Sequence, residues 1–201
     1  MAVIALVLYL VWFAIAFGIR AVVHRRRTGD AGFRGLSGRP GSGAWWAGVL
    51  FVLAVVTGLL SPIAALLGLD PLPSIATRPV QLAGLALALA GMAATFAAQA
   101  AMGASWRVGV DPAERTGLVT AGAFSRVRNP IFSAMVLTAA GLTLMVPNVV
   151  GLSGLIALIV AIQLQVRIVE EPYLLDVHAA DYRSYAAQAG RFVPGIGRIT
   201  V

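Results

Sequence analysis

The side chains best placed to do chemistry cluster in three short stretches of the C-terminal half. The first is "GAFSRVRNPIF", residues 122–132, where Arg126, Arg128, Asn129 and Pro130 stand directly before a long apolar run. Asn is a favoured residue just before a helix, and proline is tolerated at the first helical position, having no N–H to leave unpaired. The spacing therefore predicts a helix that starts at Pro130. Its N-terminal N–H groups and the two arginines would make a site for a carboxylate or phosphate. The alternative is a capped helix with two arginines reaching lipid headgroups.

The second stretch, "IQLQVRIVEEPYLL" (162–175), places Gln163 four residues before Arg167, and Arg167 three and four residues before Glu170 and Glu171. On a regular helix these share one stripe. Ionisable groups at membrane depth are costly, so such a stripe faces a protein interior or a wet cavity, or else ends the helix as an interfacial ion pair. The third is the tail, "EEPYLLDVHAADYRSYAAQAGRFVP". Leu174, Val177, His178, Tyr182 and Tyr185 would share the less polar face of a short helix, with Asp176, Asp181 and Arg183 turned to water. Such a helix suits the membrane surface and would bring Arg191 and Phe192 back toward the preceding elements.

The elements that must position these groups are membrane helices. The chain is 59% hydrophobic and only 11% charged, with a mean hydropathy of +0.88, whereas a soluble domain has charges near a quarter of its residues. Its surplus apolar surface needs lipid. A bilayer core takes about 20 apolar residues per helix, and five runs qualify or nearly so: about 2–23, 44–67, 80–102, a short 130–145, and 149–169. The fold expected is an all-α integral membrane protein of about five spans. The first run is too long for a signal-peptide core and has no basic segment before it.

Every basic residue is arginine, and the arginines fall between the runs. Six lie at 20–39, four at 107–128, and Arg167, Arg183, Arg191 and Arg198 lie at the end of the last run and beyond; the other two connections hold Arg78 alone. Positive-inside reasoning puts the first loop, the third loop and the tail in the cytoplasm and the N-terminus outside. The formal charge of +7 thus reads as membrane topology rather than as a nucleic-acid face. Cysteine is absent, and His24 and His178 have no second ligand at metal spacing, so neither thiol chemistry nor a metal site is expected.

The order and spacing of "GLVTAGAFSRVRNPIF" and, about 40 residues on, "RIVEEPYLLDVHAADYRSYAAQAGRFVP" resemble the isoprenylcysteine carboxyl methyltransferase and phospholipid methyltransferase family. That family reads approximately Leu-Val-Thr-x-Gly-x-Tyr, Arg-His-Pro-x-Tyr, Glu-Glu-x-x-Leu, Gly-x-x-Tyr-x-x-Tyr, then Arg-Phe-x-Pro. The resemblance runs from about Trp106 to Pro194. It divides the chain into a variable set of three spans at 1–101 and a family-like catalytic core at 102–201, made of a loop, a helical hairpin and an interfacial helix.

The resemblance implies an integral membrane methyltransferase that takes S-adenosylmethionine from the cytosol and acts on a lipophilic acceptor. Thr116, Gly117, Leu118, Val119, Asn129, Pro130, Ile131, Phe132 and Glu170 would lie along the cofactor, with Phe124 beside them; by their own chemistry, the helix start with Arg128 suits its carboxylate and Glu170 or Glu171 its cationic groups. Arg167, Glu171 and Arg191 would serve the acceptor: an arginine to orient a carboxylate, Glu171 as base for an amine or hydroxyl. Four residues depart from that pattern: Phe124 and Phe132 where the family has tyrosine, Asn129 where it has histidine, and Ala179 where its tail motif has glycine. Two other classes fit the same residues less well. One is a reductase of a lipid-like substrate, with Arg25–Arg27 holding an NADPH phosphate; the other is a non-catalytic lipophile-binding protein. The arginine-only, Ala- and Gly-rich usage suggests a bacterial inner membrane. Gly-rich spans such as 84–91 permit close packing within or between chains, so oligomeric state stays open.

Overall fold

The computed structural model describes residues 1–29, 35, 38–102 and 117–199. Its helices are α1 (Ala2–Phe13), α2 (Arg20–Thr28), α3 (Gly43–Leu66), α4 (Arg78–Met102), α5 (Pro130–Met145), α6 (Val149–Leu164) and α7 (Glu171–Gln188). Among the described residues there is no strand, and the ladder-like pairing is two isolated bridges, Val127 with Gly190 and Val193 with Ile196. Two π-helical turns interrupt the regular pattern. One, Ala14–Ile19, joins α1 to α2; the other, Gln165–Glu170, joins α6 to α7.

Among the described residues, four helices are long and apolar enough to cross a membrane: Ala2–Arg26, Gly43–Leu66, Arg78–Met102 and Val149–Gln188. The last is 40 residues long, about twice what a bilayer core requires, so its second half, from Glu171 on, lies beyond the span. α5 is a shorter apolar helix of 16 residues. The predicted runs start within two residues of these helices, but the last helix continues to Gln188, well past the predicted end near 169.

Two antiparallel pairs form the bundle, α4 with α5 and α3 with α6, and α1 packs across α3. In lipid no hydrophobic force drives helices together, so close backbone approach and hydrogen bonds must hold them. Small residues make that approach possible. A Cβ at Gly141 would overlap the backbone nitrogen of Ala88, and one at Gly91 would overlap Thr138. Across the other pair, a Cβ at Gly151 would sit 2.7 Å from Ser61 Oγ.

Polar side chains tie the remaining joints. Tyr9 donates to the Val55 carbonyl at 2.5 Å, holding α1 to α3. Asn148, almost fully buried, accepts from Gly151 N at the start of α6 (2.9 Å) and from Ser61 Oγ (3.1 Å), while its amide donates to the Ser61 carbonyl (3.0 Å). It thus fixes the tight α5–α6 hairpin against α3. Gln99, also buried, donates to the Ala16 carbonyl within the first π-turn at 3.1 Å, joining the end of α4 to that turn.

Candidate active site

α5 starts at Pro130 with Asn129 in the position before it, as the Asn-Pro pair predicts. The capping part of that expectation is wrong, because the Asn129 side chain makes no cap hydrogen bond. It is turned the other way and donates to the Arg191 carbonyl at 3.0 Å. The reason is a competing partner. Residues 126–129 run beside the tail, with Arg128 N donating to the Gly190 carbonyl (2.8 Å) and Gly190 N to the Arg126 carbonyl (3.0 Å). Val127 and Gly190 form a short parallel bridge, which brings the Arg191 carbonyl within reach of Asn129. The first-turn N–H groups of α5 are left without a side-chain cap.

The tail from Gly190 to Ile199 is a strap folded back on the start of α5. Ser133 donates to the Phe192 carbonyl at 2.6 Å, and Ile199 N donates to the Ala186 carbonyl at 3.0 Å. Glycine is required at position 190, since a Cβ there would overlap the Val193 carbonyl oxygen and lie 2.9 Å from Gly195 N. Tyr185 of α7 donates to the Phe124 carbonyl at 2.6 Å, pinning the 3₁₀ turn Gly122–Ser125. That carbonyl contact belongs to the backbone, so phenylalanine can stand at 124 without losing it.

At the centre is a carboxylate held by two guanidinium groups. Arg128 Nη2 lies 2.7 Å from Glu171 Oε1, while Arg191 grips both oxygens, Nε to Oε1 at 2.8 Å and Nη2 to Oε2 at 3.0 Å. The Arg128 side chain is 2% exposed, that of Glu171 10%, that of Arg191 17%. Arg128 Nη1 also donates to the carbonyls of Ala186 (3.1 Å) and Ala189 (2.6 Å), and Nη2 to that of Gly197 (3.0 Å). A cation at the C-terminal carbonyls of α7 is favourable for the helix dipole as well as for hydrogen bonding. Burial alone would raise the Glu171 pKa, but the hydrogen bonds from Arg191 and Arg128 and their charges outweigh it and hold the carboxyl below its ordinary range. Arg191 is correspondingly raised, first by its hydrogen bond to Glu171.

The single polar stripe expected from Gln163 to Glu171 is not formed as such. Arg167 Nε does reach Gln163 Oε1 at 2.8 Å, but Arg167 is exposed and Glu171 is buried on another side. The cause is the π-turn at Gln165–Glu170, which spends an extra residue per turn and rotates the start of α7 relative to α6. Within it Gln165 Nε2 lies 3.4 Å from Glu170 Oε1. The predicted tail helix exists, with Tyr182 buried and Asp176, Asp181 and Arg183 exposed, but it kinks at Ala179 (φ 41°, ψ −108°).

The expected site residues fall into three groups. Arg128, Asn129, Glu171 and Arg191 meet in the clasp or its backbone frame. Pro130, Ile131 and Phe132 form the first turn of α5, Phe124 is buried under α7, and Arg167 and Glu170 lie on the neighbouring π-turn. Gly117, Leu118 and Val119 form an irregular approach to the 3₁₀ turn, and Thr116 lies outside the described residues. Sequence reasoning placed Tyr185 on the tail helix without a partner, gave Gly190 no role, and did not find Ser133 or Gln99. Only the Tyr-x-x-Tyr and Gly-Arg-Phe strings hinted at the first two.

Residues 80–181, about half of the chain, match the family model described as phospholipid methyltransferase (PEMT). The matched stretch begins in α4 and ends in α7, so it contains the α4–α5 pair, the α5 start and two of the three clasped residues, Arg128 and Glu171, but not Arg191. No curated protein and no solved structure matches the chain. The chain belongs to the phospholipid methyltransferase family of membrane methyltransferases.

Proposed function

We propose that this protein transfers a methyl group from S-adenosylmethionine to a lipophilic acceptor at the cytoplasmic face of the membrane. The observation that carries this reading is the start of α5, a helix N-terminus without a side-chain cap, at the junction where the strap, the π-turn and the 122–132 segment meet. S-adenosylmethionine, when bound, supplies an electrophilic methyl on a sulfonium.

The residues present fit such a cofactor. The uncapped N–H groups of Ile131 and Phe132, at the positive end of α5, suit its carboxylate. Glu170, on the partly exposed π-turn, suits its cationic groups. Gly117 to Val119, Phe124, Asn129 and Pro130 would complete the wall, largely through backbone. Arg128 acts by holding the strap and α7 in place, since both its terminal nitrogens donate within the protein.

On the acceptor side, a carboxylate held by two arginines is a weak proton acceptor, so the clasp favours an acceptor that needs orientation rather than deprotonation. Arg167 is the cation best placed to orient it: Nε is engaged by Gln163 and the side chain is exposed. Arg191 and Glu171 frame the opposite wall. The arginine-rich connections support a cytoplasmic position for this end of the bundle, with the N-terminus outside.

The test separates cofactor binding from turnover. Glu170→Gln is expected to lose S-adenosylmethionine affinity while the protein stays folded. Arg167→Ala is expected to keep that affinity and lose methyl incorporation into a membrane lipid extract. Loss of cofactor affinity in Arg167→Ala, with affinity kept in Glu170→Gln, would reverse the roles assigned here.

A further inference from the structure

Helix register fixes how deep the strap sits. Gly84 of α4 lies against Leu144 and Met145 of α5, Gly141 of α5 against Ala88, and Gly91 against Thr138. Each residue forward on α4 therefore matches one backward on α5. Carried along both helices, this register puts Ser133 level with Phe96 and Asn129 level with Ala100. α4 continues as apolar helix to Met102. At 1.5 Å rise per residue, the start of α5 is roughly 3–9 Å inside the end of that apolar stretch. The strap is tied to this depth by two hydrogen bonds, Ser133 Oγ to the Phe192 carbonyl (2.6 Å) and Asn129 Nδ2 to the Arg191 carbonyl (3.0 Å).

Directly after Phe192 the strap makes a tight turn, closed by Ile196 N donating to the Val193 carbonyl at 3.1 Å. The turn projects Val193, 51% exposed, and Ile196, 67% exposed, with an exposed Pro194 between them. Two exposed arginines adjoin it: Arg198, two residues on, and Arg126, whose carbonyl accepts from Gly190 N. Bare apolar side chains on a strap anchored at that depth are suited to lipid rather than to water. Cations beside them are what an anionic headgroup layer selects.

We propose that the turn Val193–Ile196 is an interfacial wedge, seated at the acyl–headgroup boundary of an anionic leaflet with Arg126 and Arg198 on lipid phosphates. The partner is the bilayer surface itself. The wedge holds down the strap whose Arg191 grips Glu171, so the bilayer is part of what keeps the clasp closed. This inference rests on the membrane spans and not on the identity of any cofactor.

The protein contains no cysteine, so Ile196→Cys carries a single polarity-sensitive fluorophore in lipid nanodiscs. Asp176→Cys, on an exposed position of α7, is the water-facing reference, and Val193→Cys repeats the measurement should Ile196→Cys not yield folded protein. The expected result is emission shifted to the blue of the Asp176 label, quenched more by lipids brominated near the headgroup than by lipids brominated at the chain end. The shift should be larger in anionic than in zwitterionic discs. Emission and iodide quenching equal to the Asp176 label would overturn the wedge, making the turn a loop in water. A blue shift without quenching by brominated lipid would also overturn it, because protein rather than lipid would then cover the turn. Equal shifts in both lipids would remove the role given to Arg126 and Arg198.

Discussion

Replacing Ala179 by glycine should stabilise the protein, against the usual effect of glycine in a helix. Ala179 lies inside α7 at φ 41°, ψ −108°, the one non-glycine residue with positive φ among those described. Its Cβ is what makes this conformation unfavourable, and strain in such a sparsely populated region is worth roughly 1–3 kcal/mol. Glycine removes it but loosens the unfolded chain, which costs about 0.4–1 kcal/mol. The net gain is therefore about 0–2.6 kcal/mol, and its middle, about 1.3 kcal/mol, is around tenfold in the folding equilibrium. The neighbouring Ala180→Gly is the control, since 180 is helical and glycine there should cost about 1 kcal/mol. Unfolding in mixed detergent, followed by helical circular dichroism, reads both. If Ala179→Gly destabilises as Ala180→Gly does, the kink is absent and α7 is one straight helix.

The clasp and the helix pairs carry further expected outcomes. Glu171→Gln leaves the buried Arg128 without its counter-ion and should cost about 3–5 kcal/mol of stability in the same unfolding assay, whereas Glu170→Gln should cost little. Because the folded pKa of Glu171 is depressed, its contribution is fully present above the ordinary value of 4.5 and is lost as pH falls through the folded value; wild-type stability should decline with acid below about pH 5, and Glu171→Gln should flatten that decline. Gly141→Ala should weaken the α4–α5 pair by about 1–3 kcal/mol through overlap with Ala88, seen as a lower unfolding midpoint.

The legible part of this protein is the part written in local chemistry. Long apolar runs announced the helices, Asn129-Pro130 announced where α5 begins, and the ordered strings around Arg128 and Glu171 carried the family. The features that stayed hidden depend on backbone geometry without a residue signature. Nothing in "QVRIVE" marks a π-turn, yet that turn sends Glu171 to the clasp and leaves Arg167 exposed. Asn129 is a good capping residue, and only the parallel pairing of 127 with 190 explains why its side chain serves the strap instead. Arg128 looked like a ligand for an anion because its internal partners, the carbonyls of Ala186, Ala189 and Gly197, lie about 60 residues away in sequence. The alanine at 179 was visible as a departure from the glycine pattern, and the kink there gives that departure a physical meaning.

The most direct test of the proposed cofactor site is calorimetric titration of the detergent-purified protein with S-adenosylmethionine and with S-adenosylhomocysteine, wild type beside Glu170→Gln. Saturable binding of both ligands to the wild type, lost in a folded Glu170→Gln, is the predicted result. No binding of either ligand to folded wild-type protein would contradict the site proposed at the start of α5.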